Sequence, residues 1–135
     1  MKSTVLTSIL MVTFASALAA ATAKGSSAGE VVIGGELVLR FRVGAGSMSA
    51  GDRADAIQAR LVKFLYDPQL EAKDITTVAS GKDRTIQIKQ ELLVTVTPQD
   101  AKANQTTPQK LAETWATHLR ELLPKLKVQP IVPKK

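Results

Sequence analysis

An α+β domain is what this sequence predicts: an antiparallel sheet built from two ββα half-repeats, with two helices packed on one of its faces. Three observations carry that expectation. Apolar residues alternate with a period of two over 31–43 and 86–96. They recur at helical spacing over 50–66 and again over 108–123. The two series also align with each other. Val31, Ile33, Glu36, Leu37, Leu39 and Phe41 match Ile86, Ile88, Glu91, Leu92, Val94 and Val96 at an offset of 55. Ser49, Ala54, Ile57, Leu61 and Phe64 match Thr107, Ala112, Trp115, Leu119 and Leu122 at an offset of 58, so the second strand-to-helix loop is three residues longer.

Taken in order, residues 1–23 read as a secretory signal peptide. Lys2 is the positive start, Val5 to Leu18 is apolar, and Ala17-Leu18-Ala19, Ala19-Ala20-Ala21 and Ala21-Thr22-Ala23 offer cleavage patterns, with Ala23 preferred. The apolar run is shorter than the roughly 20 residues of a spanning helix. Residues 24–29 form a Gly/Ser/Ala-rich linker. The domain proper is expected over 30–123, with half-repeats at about 30–66 and 75–123. A short strand at Glu30–Ile33 turns at Gly34-Gly35 into a longer one at Glu36–Val43, because Gly-Gly suits a two-residue hairpin. On that pattern Leu37, Leu39 and Phe41 face inward. Ser49 caps a helix over Ala50–Tyr66 that stops at Asp67-Pro68, with Arg53, Arg60 and Lys63 off its apolar stripe.

In the second half, strands at Ile75–Ala79 and Thr85–Ile88 flank the turn-rich Ser80-Gly81-Lys82-Asp83. Lys89-Gln90 takes the hairpin position held by Gly34-Gly35. Leu92, Val94 and Val96 then face inward, and Pro98–Thr106 reads as a polar loop. Thr107-Pro108 opens a last helix that carries Leu111, Trp115, Leu119 and Leu123 and ends at Pro124. Residues 124–135 form a Pro/Lys-rich basic tail in which Lys125, Lys127, Lys134 and Lys135 are an electrostatic candidate for anionic lipid or polymer.

Composition excludes several chemistries. The chain has 135 residues, 18 Lys+Arg against 12 Asp+Glu, and no Cys. A disulfide framework, a thiolate metal site and a cysteine nucleophile are therefore ruled out. No specific nucleic-acid contact is expected, because only 4% of residues are aromatic and there is no Arg cluster. His118 is the only His and has no neighbours at ligand spacing, so no metal and no cofactor are expected. Gly44-Ala45-Gly46 precedes a helix as a dinucleotide fingerprint would, but it reads as a glycine turn. Trp115 is the expected core anchor.

The runs Glu30–Val43, Ser49–Tyr66, Leu92-Leu93-Val94-Thr95-Val96-Thr97-Pro98-Gln99-Asp100-Ala101 and Leu111-Ala112-Glu113-Thr114-Trp115 resemble a known segment. It is the extracytoplasmic stretch ahead of the membrane domain in some bacterial mechanosensitive channel homologues. The resemblance implies an envelope location and supplies no catalytic residue; channel activity does not carry over, since no channel-forming helices follow.

The functional expectation is an exported, non-catalytic binding or spacer module of the bacterial cell envelope, periplasmic or secreted. It would meet an envelope protein or an anionic polymer or lipid. Glu36, Arg40, Arg42, Lys89 and Glu91 form the candidate binding face on the polar side of the sheet, and an edge strand is the other candidate contact. Two alternatives belong to other classes. One is a small periplasmic hydrolase using Glu36 and Glu91 as paired carboxylates. The other is a carrier with an apolar pocket between sheet and helices.

Overall fold

The computed structural model describes residues 29–126. The leader at 1–23, residues 24–28 of the linker and positions 127–135 of the tail lie outside the described residues. The chain runs β1 (Glu30–Ile33), β2 (Glu36–Arg40), α1 (Ala50–Leu65), a 3₁₀ turn (Ala72–Asp74), β3 (Ile75–Ser80), β4 (Asp83–Ile88), β5 (Glu91–Val96), α2 (Pro98–Ala103) and α3 (Pro108–Leu126).

The α+β class holds, and every strand pairing is antiparallel. The strands do not merge into one sheet, however. β1 and β2 form a two-stranded sheet, and β3, β4 and β5 form a three-stranded one in that order. The helices weld the two together: α1 packs on β1 and β5, and α3 packs on β2, β3 and β4.

The hairpins β1–β2 and β4–β5 share their turn and their irregularity. Gly34 and Gly35 have φ of 58° and 81°, and Lys89 and Gln90 have 50° and 69°. Both turns thus need two left-handed residues, the requirement of a type I′ turn. The first hairpin meets it with glycine and the second bears it with side chains. Each hairpin also carries a bulge. Val31 pairs with Leu39 but Val32 with Leu37, which leaves Val38 extra. Ile86 pairs with Val94 but Gln87 with Leu92, which leaves Leu93 extra. The two bulged residues are separated by the same offset of 55.

The bulges correct the expected inward faces. A residue inserted in one strand flips the alternation beyond it. Leu37 and Leu92 therefore point outward, each 49% exposed, while Val38 and Leu93 are buried. The expected β2 is also too long. It ends at Arg40, because Gly44 to Met48 folds into a tight loop closed by mutual backbone hydrogen bonds between Ala45 and Met48. A Cβ on Gly44 would lie 2.5 Å from the Met48 carbonyl oxygen, so this position admits only glycine without rearrangement.

α1 begins as expected. Ser49 accepts from the Asp52 amide and the Asp52 carboxylate accepts from the Ser49 amide, a reciprocal capping box. Pro98–Thr106 is not a loop throughout. Thr97 and Asp100 form a second capping box that starts α2, with Pro98 in its first turn. This short helix accounts for the longer second strand-to-helix connection. It ends with the Thr106 amide on the Ala101 carbonyl and the Gln105 amide on the Lys102 carbonyl, and Gln105 has φ of 56°. α3 runs past Pro124 to Leu126, so Lys125 belongs to the last helical turn rather than to a tail.

The core is continuous across both halves and includes Val31, Phe41, Leu61, Ile86, Leu93, Trp115 and Leu119. Phe41 meets Trp115 edge-to-face, with ring centroids 5.5 Å apart.

Candidate functional site

Of the five residues expected on one polar sheet face, Glu36 and Arg40 lie in β2 and Glu91 in β5, while Arg42 follows the end of β2 and Lys89 lies in the β4–β5 turn. Arg40 is ion-paired with Glu30, its cross-strand neighbour in β1. Arg42 donates to Asn104 Oδ1 at 3.1 Å. Lys89 binds Asp67, which raises its pKa above the ordinary lysine value, and Glu91 pairs with Lys63 of α1. Glu36 and Glu91 open the second strands of separate hairpins, in separate sheets. No single sheet carries all five residues, because the hairpins do not share hydrogen bonds. Of the tail lysines, Lys127, Lys134 and Lys135 lie outside the described residues.

The residues that sequence reasoning missed are Arg53 and Asp100. Arg53 is 7% exposed and Asp100 is 1% exposed. The guanidinium meets the carboxylate with two parallel bonds of 2.7 Å. It also donates to the Val43 carbonyl at 2.9 Å and the Thr95 carbonyl at 3.2 Å, and lies 4.0 Å from the Phe41 ring centroid. Asp100 in turn accepts from the Thr97 amide. One buried ion pair thus joins α1, the exit of β2, the end of β5 and α2. Its donors and acceptors are committed to partners, so it holds the halves in register. The Thr97-x-x-Asp100 capping pattern was the available signal. Arg53 gave none, since nothing in the sequence says which polar residue of a helix meets a buried acid.

Each helix also reaches the bulge of the opposite hairpin. Arg60 of α1 donates to the Leu93 carbonyl at 2.8 Å. His118 of α3 sits with Nδ1 3.3 Å from the Val38 carbonyl oxygen. Both pairs obey the two offsets, 58 for the helices and 55 for the strands. A cleft opens beside each contact. One, of about 260 Å3, is lined by Phe41, Met48, Ile57, Leu92, Arg53 and Arg60. The other, of about 350 Å3, is lined by Leu37, Val38, Leu111, Trp115, Thr114 and His118.

The halves differ at one edge. β3 covers the outer edge of β4, with Thr76 opposite Gln87. Among the described residues no strand covers the equivalent edge of β1. Gln58 of α1 donates instead to the Val32 carbonyl at 3.2 Å. In α3 the face turned to β3 carries Glu113 and Arg120. Thr77 Oγ1 donates to Glu113 at 2.5 Å and Arg120 Nε donates to the Ile75 carbonyl at 3.0 Å. The matching positions of α1 are Asp55 and Val62, followed one turn on by Tyr66. Val62 is 47% and Tyr66 66% exposed.

A family model for a domain of unknown function, DUF8459, matches residues 30–125. The chain belongs to the DUF8459 family. No curated protein and no solved structure matches it. The DUF8459 match opens with β1 and closes inside the last turns of α3, so it takes in both hairpins, the Arg53–Asp100 pair and both clefts. Among the described residues no group of three or more His, Cys, Asp or Glu could hold a metal, and no helix is long and apolar enough to cross a membrane.

Proposed function

We propose that this DUF8459 domain is a non-catalytic binding module of the bacterial cell envelope that takes up an extended segment of a partner protein along the outer edge of β1. One observation carries the reading: the edge that β3 covers in one hairpin is uncovered by any described strand in the other. An edge strand presents unpaired backbone groups and is a template for strand addition. The exposed Val62 and Tyr66 beside it offer apolar area for the incoming chain. The envelope location follows from the leader pattern over 1–23.

In situ photocross-linking tests it. A photoreactive residue at Tyr66 or Val62 is expected to trap a protein partner, and one at Val78, exposed on β3 of the other sheet, is not. Cross-links arising only from Lys127, Lys134 and Lys135 would move the contact to the tail and sink the edge reading.

A second reading is favoured by the cleft between Leu92 and Arg60, where an apolar wall meets a guanidinium. It would suit an amphipathic anion. Native mass spectrometry of the purified protein, searching for a bound small molecule lost on Leu92→Asp substitution, decides this reading.

A further inference from the structure

We infer that two copies of this chain associate by pairing their β3 strands antiparallel about a two-fold axis through Val78. β3 and β1 lie in different sheets, so this contact is independent of the one proposed along β1. β3 is an outer strand of the three-stranded sheet, and no described strand covers its far side. Its hairpin closes with Ser80 opposite Asp83 across Gly81-Lys82. Backbone groups along such a ladder alternate between the paired strand and the outside. Thr76, Val78 and Ser80 turn theirs to β4, so Ile75, Thr77 and Ala79 turn theirs outward.

The chain closes one of those outward positions itself. The Ile75 amide donates to the Ala72 carbonyl, and Arg120 Nε donates to the Ile75 carbonyl at 3.0 Å. Helix side chains reach carbonyls on the other strands in the same way: Gln58 at Val32, His118 at Val38, Arg60 at Leu93 and Arg53 at Thr95. Among the described residues no side chain or loop bonds the outward groups of Thr77 and Ala79. Nor does β3 carry the devices that keep strand edges apart. Ile75–Ser80 holds no charge and no proline, and it pairs with β4 without a bulge, whereas β1–β2 and β4–β5 each have one.

The open stretch is complementary to itself. Thr77 and Ala79 flank Val78, so two antiparallel β3 strands centred there set Thr77 of each copy opposite Ala79 of the other, and every open group finds a partner. Val78, 41% exposed, meets its counterpart on the axis. The same register brings Lys82 and Asp83 of one copy level with Asp74 and Lys73 of the other, opposite charges at both ends of the contact. Other registers lack this fit. One centred on Thr77 needs the closed groups of Ile75, and one centred on Ala79 runs Thr77 against Gly81, which turns at φ of 59°.

Sedimentation of the purified full chain from about 10 μM to about 1 mM tests this, a range suited to a small interface. A dimer that grows with concentration is expected. Val78→Lys, at an exposed position, should keep the unfolding transition and weaken the dimer about tenfold, because like charges then meet on the axis. Val78→Glu should do the same, and an equal mixture of the two variants should restore the dimer. The chain has no Cys, so Val78→Cys reads the register directly. Facing residues of a non-hydrogen-bonded antiparallel pair sit about 4.5 Å apart, within disulfide reach. That variant should oxidise to a linked dimer, while Thr76→Cys, which faces Ser80 of the other copy, should not. A photoreactive residue at Val78 should likewise join two copies of this chain and take no other protein. A chain that stays monomeric across the range overturns the proposal. So does a dimer that Val78→Lys leaves unchanged, a mixture that stays monomeric, or equal oxidation at both cysteine positions.

Discussion

The two halves of this domain share a bulge, a turn and a helix cap, yet only one of them has a third strand among the described residues. The face of each helix follows that difference. Against β3, α3 presents Glu113 and Arg120, whose polar groups bond a strand's hydroxyl and carbonyl. Beside the edge of β1 that no described strand covers, α1 presents Gln58, which caps a carbonyl, and leaves Val62 and Tyr66 exposed. Side chains on a helix record what lies against it. Gln58 thereby satisfies a backbone carbonyl on an edge of β1 that no described strand covers.

The largest effect should come from the pin between the halves. Arg53→Met leaves Asp100 buried without its guanidinium, and is expected to cost about 3–5 kcal/mol in urea unfolding. Adding Asp100→Leu should recover most of it, because a buried ion pair replaced on both sides by apolar groups is often neutral. No recovery would mean that the α2 cap, which also uses Asp100, dominates.

The core tests whether the halves are energetically equal. Trp115→Ala removes the ring against Phe41 and should cost about 3–5 kcal/mol, and Ile57→Ala at the matching position about 2–4 kcal/mol, by the same unfolding measurement. A larger loss at Ile57 would show that the core weight lies in the first half.

Turns sharpen the comparison at a smaller scale. Gln90→Gly should stabilise by up to about 1 kcal/mol, because it relieves a side chain held at φ of 69°. Gly35→Ala, at φ of 81°, should destabilise by a similar amount. Thermal unfolding of both variants checks the opposite signs.

The smallest effect is a pH dependence confined to one half. The Thr77 hydroxyl, and then Arg120, hold the Glu113 pKa below the ordinary carboxylate value. A depressed folded pKa adds stability above the unfolded value and loses it as the pH falls through the folded one. The protection factors of the β3 amides, corrected for the intrinsic pH dependence of exchange, should therefore fall at pH below the ordinary carboxylate range. Thr77→Val should raise the Glu113 pKa in an NMR titration. An unchanged pKa would mean that Arg120 alone sets it.

Much of this was readable from residue pattern. Period-two alternation placed β1, β4 and β5, helical spacing placed α1 and α3, and Ser49 placed the first cap. The offset of 55 located the second hairpin turn at Lys89-Gln90, which composition alone would not suggest. The pattern failed where the backbone departs from ideal strands. Alternation cannot see a bulge, so Leu37 and Leu92 were expected inside and Val38 and Leu93 were not. The Thr97 to Asp100 box was visible but lay inside a polar run that reads as loop.

The sequence by itself determined the type and order of the strands and of α1 and α3, and the alignment of one half on the other, because those depend on neighbours within a few residues. Only the tertiary structure decided that the hairpins stay separate sheets, that Arg53 turns inward to Asp100, and that β3 covers the edge of β4 while no described strand covers that of β1. Those outcomes depend on groups 33 to 80 residues apart, such as Arg60 with Leu93 and His118 with Val38, meeting across a shared core. Local pattern carries no record of which distant carbonyl a side chain will reach.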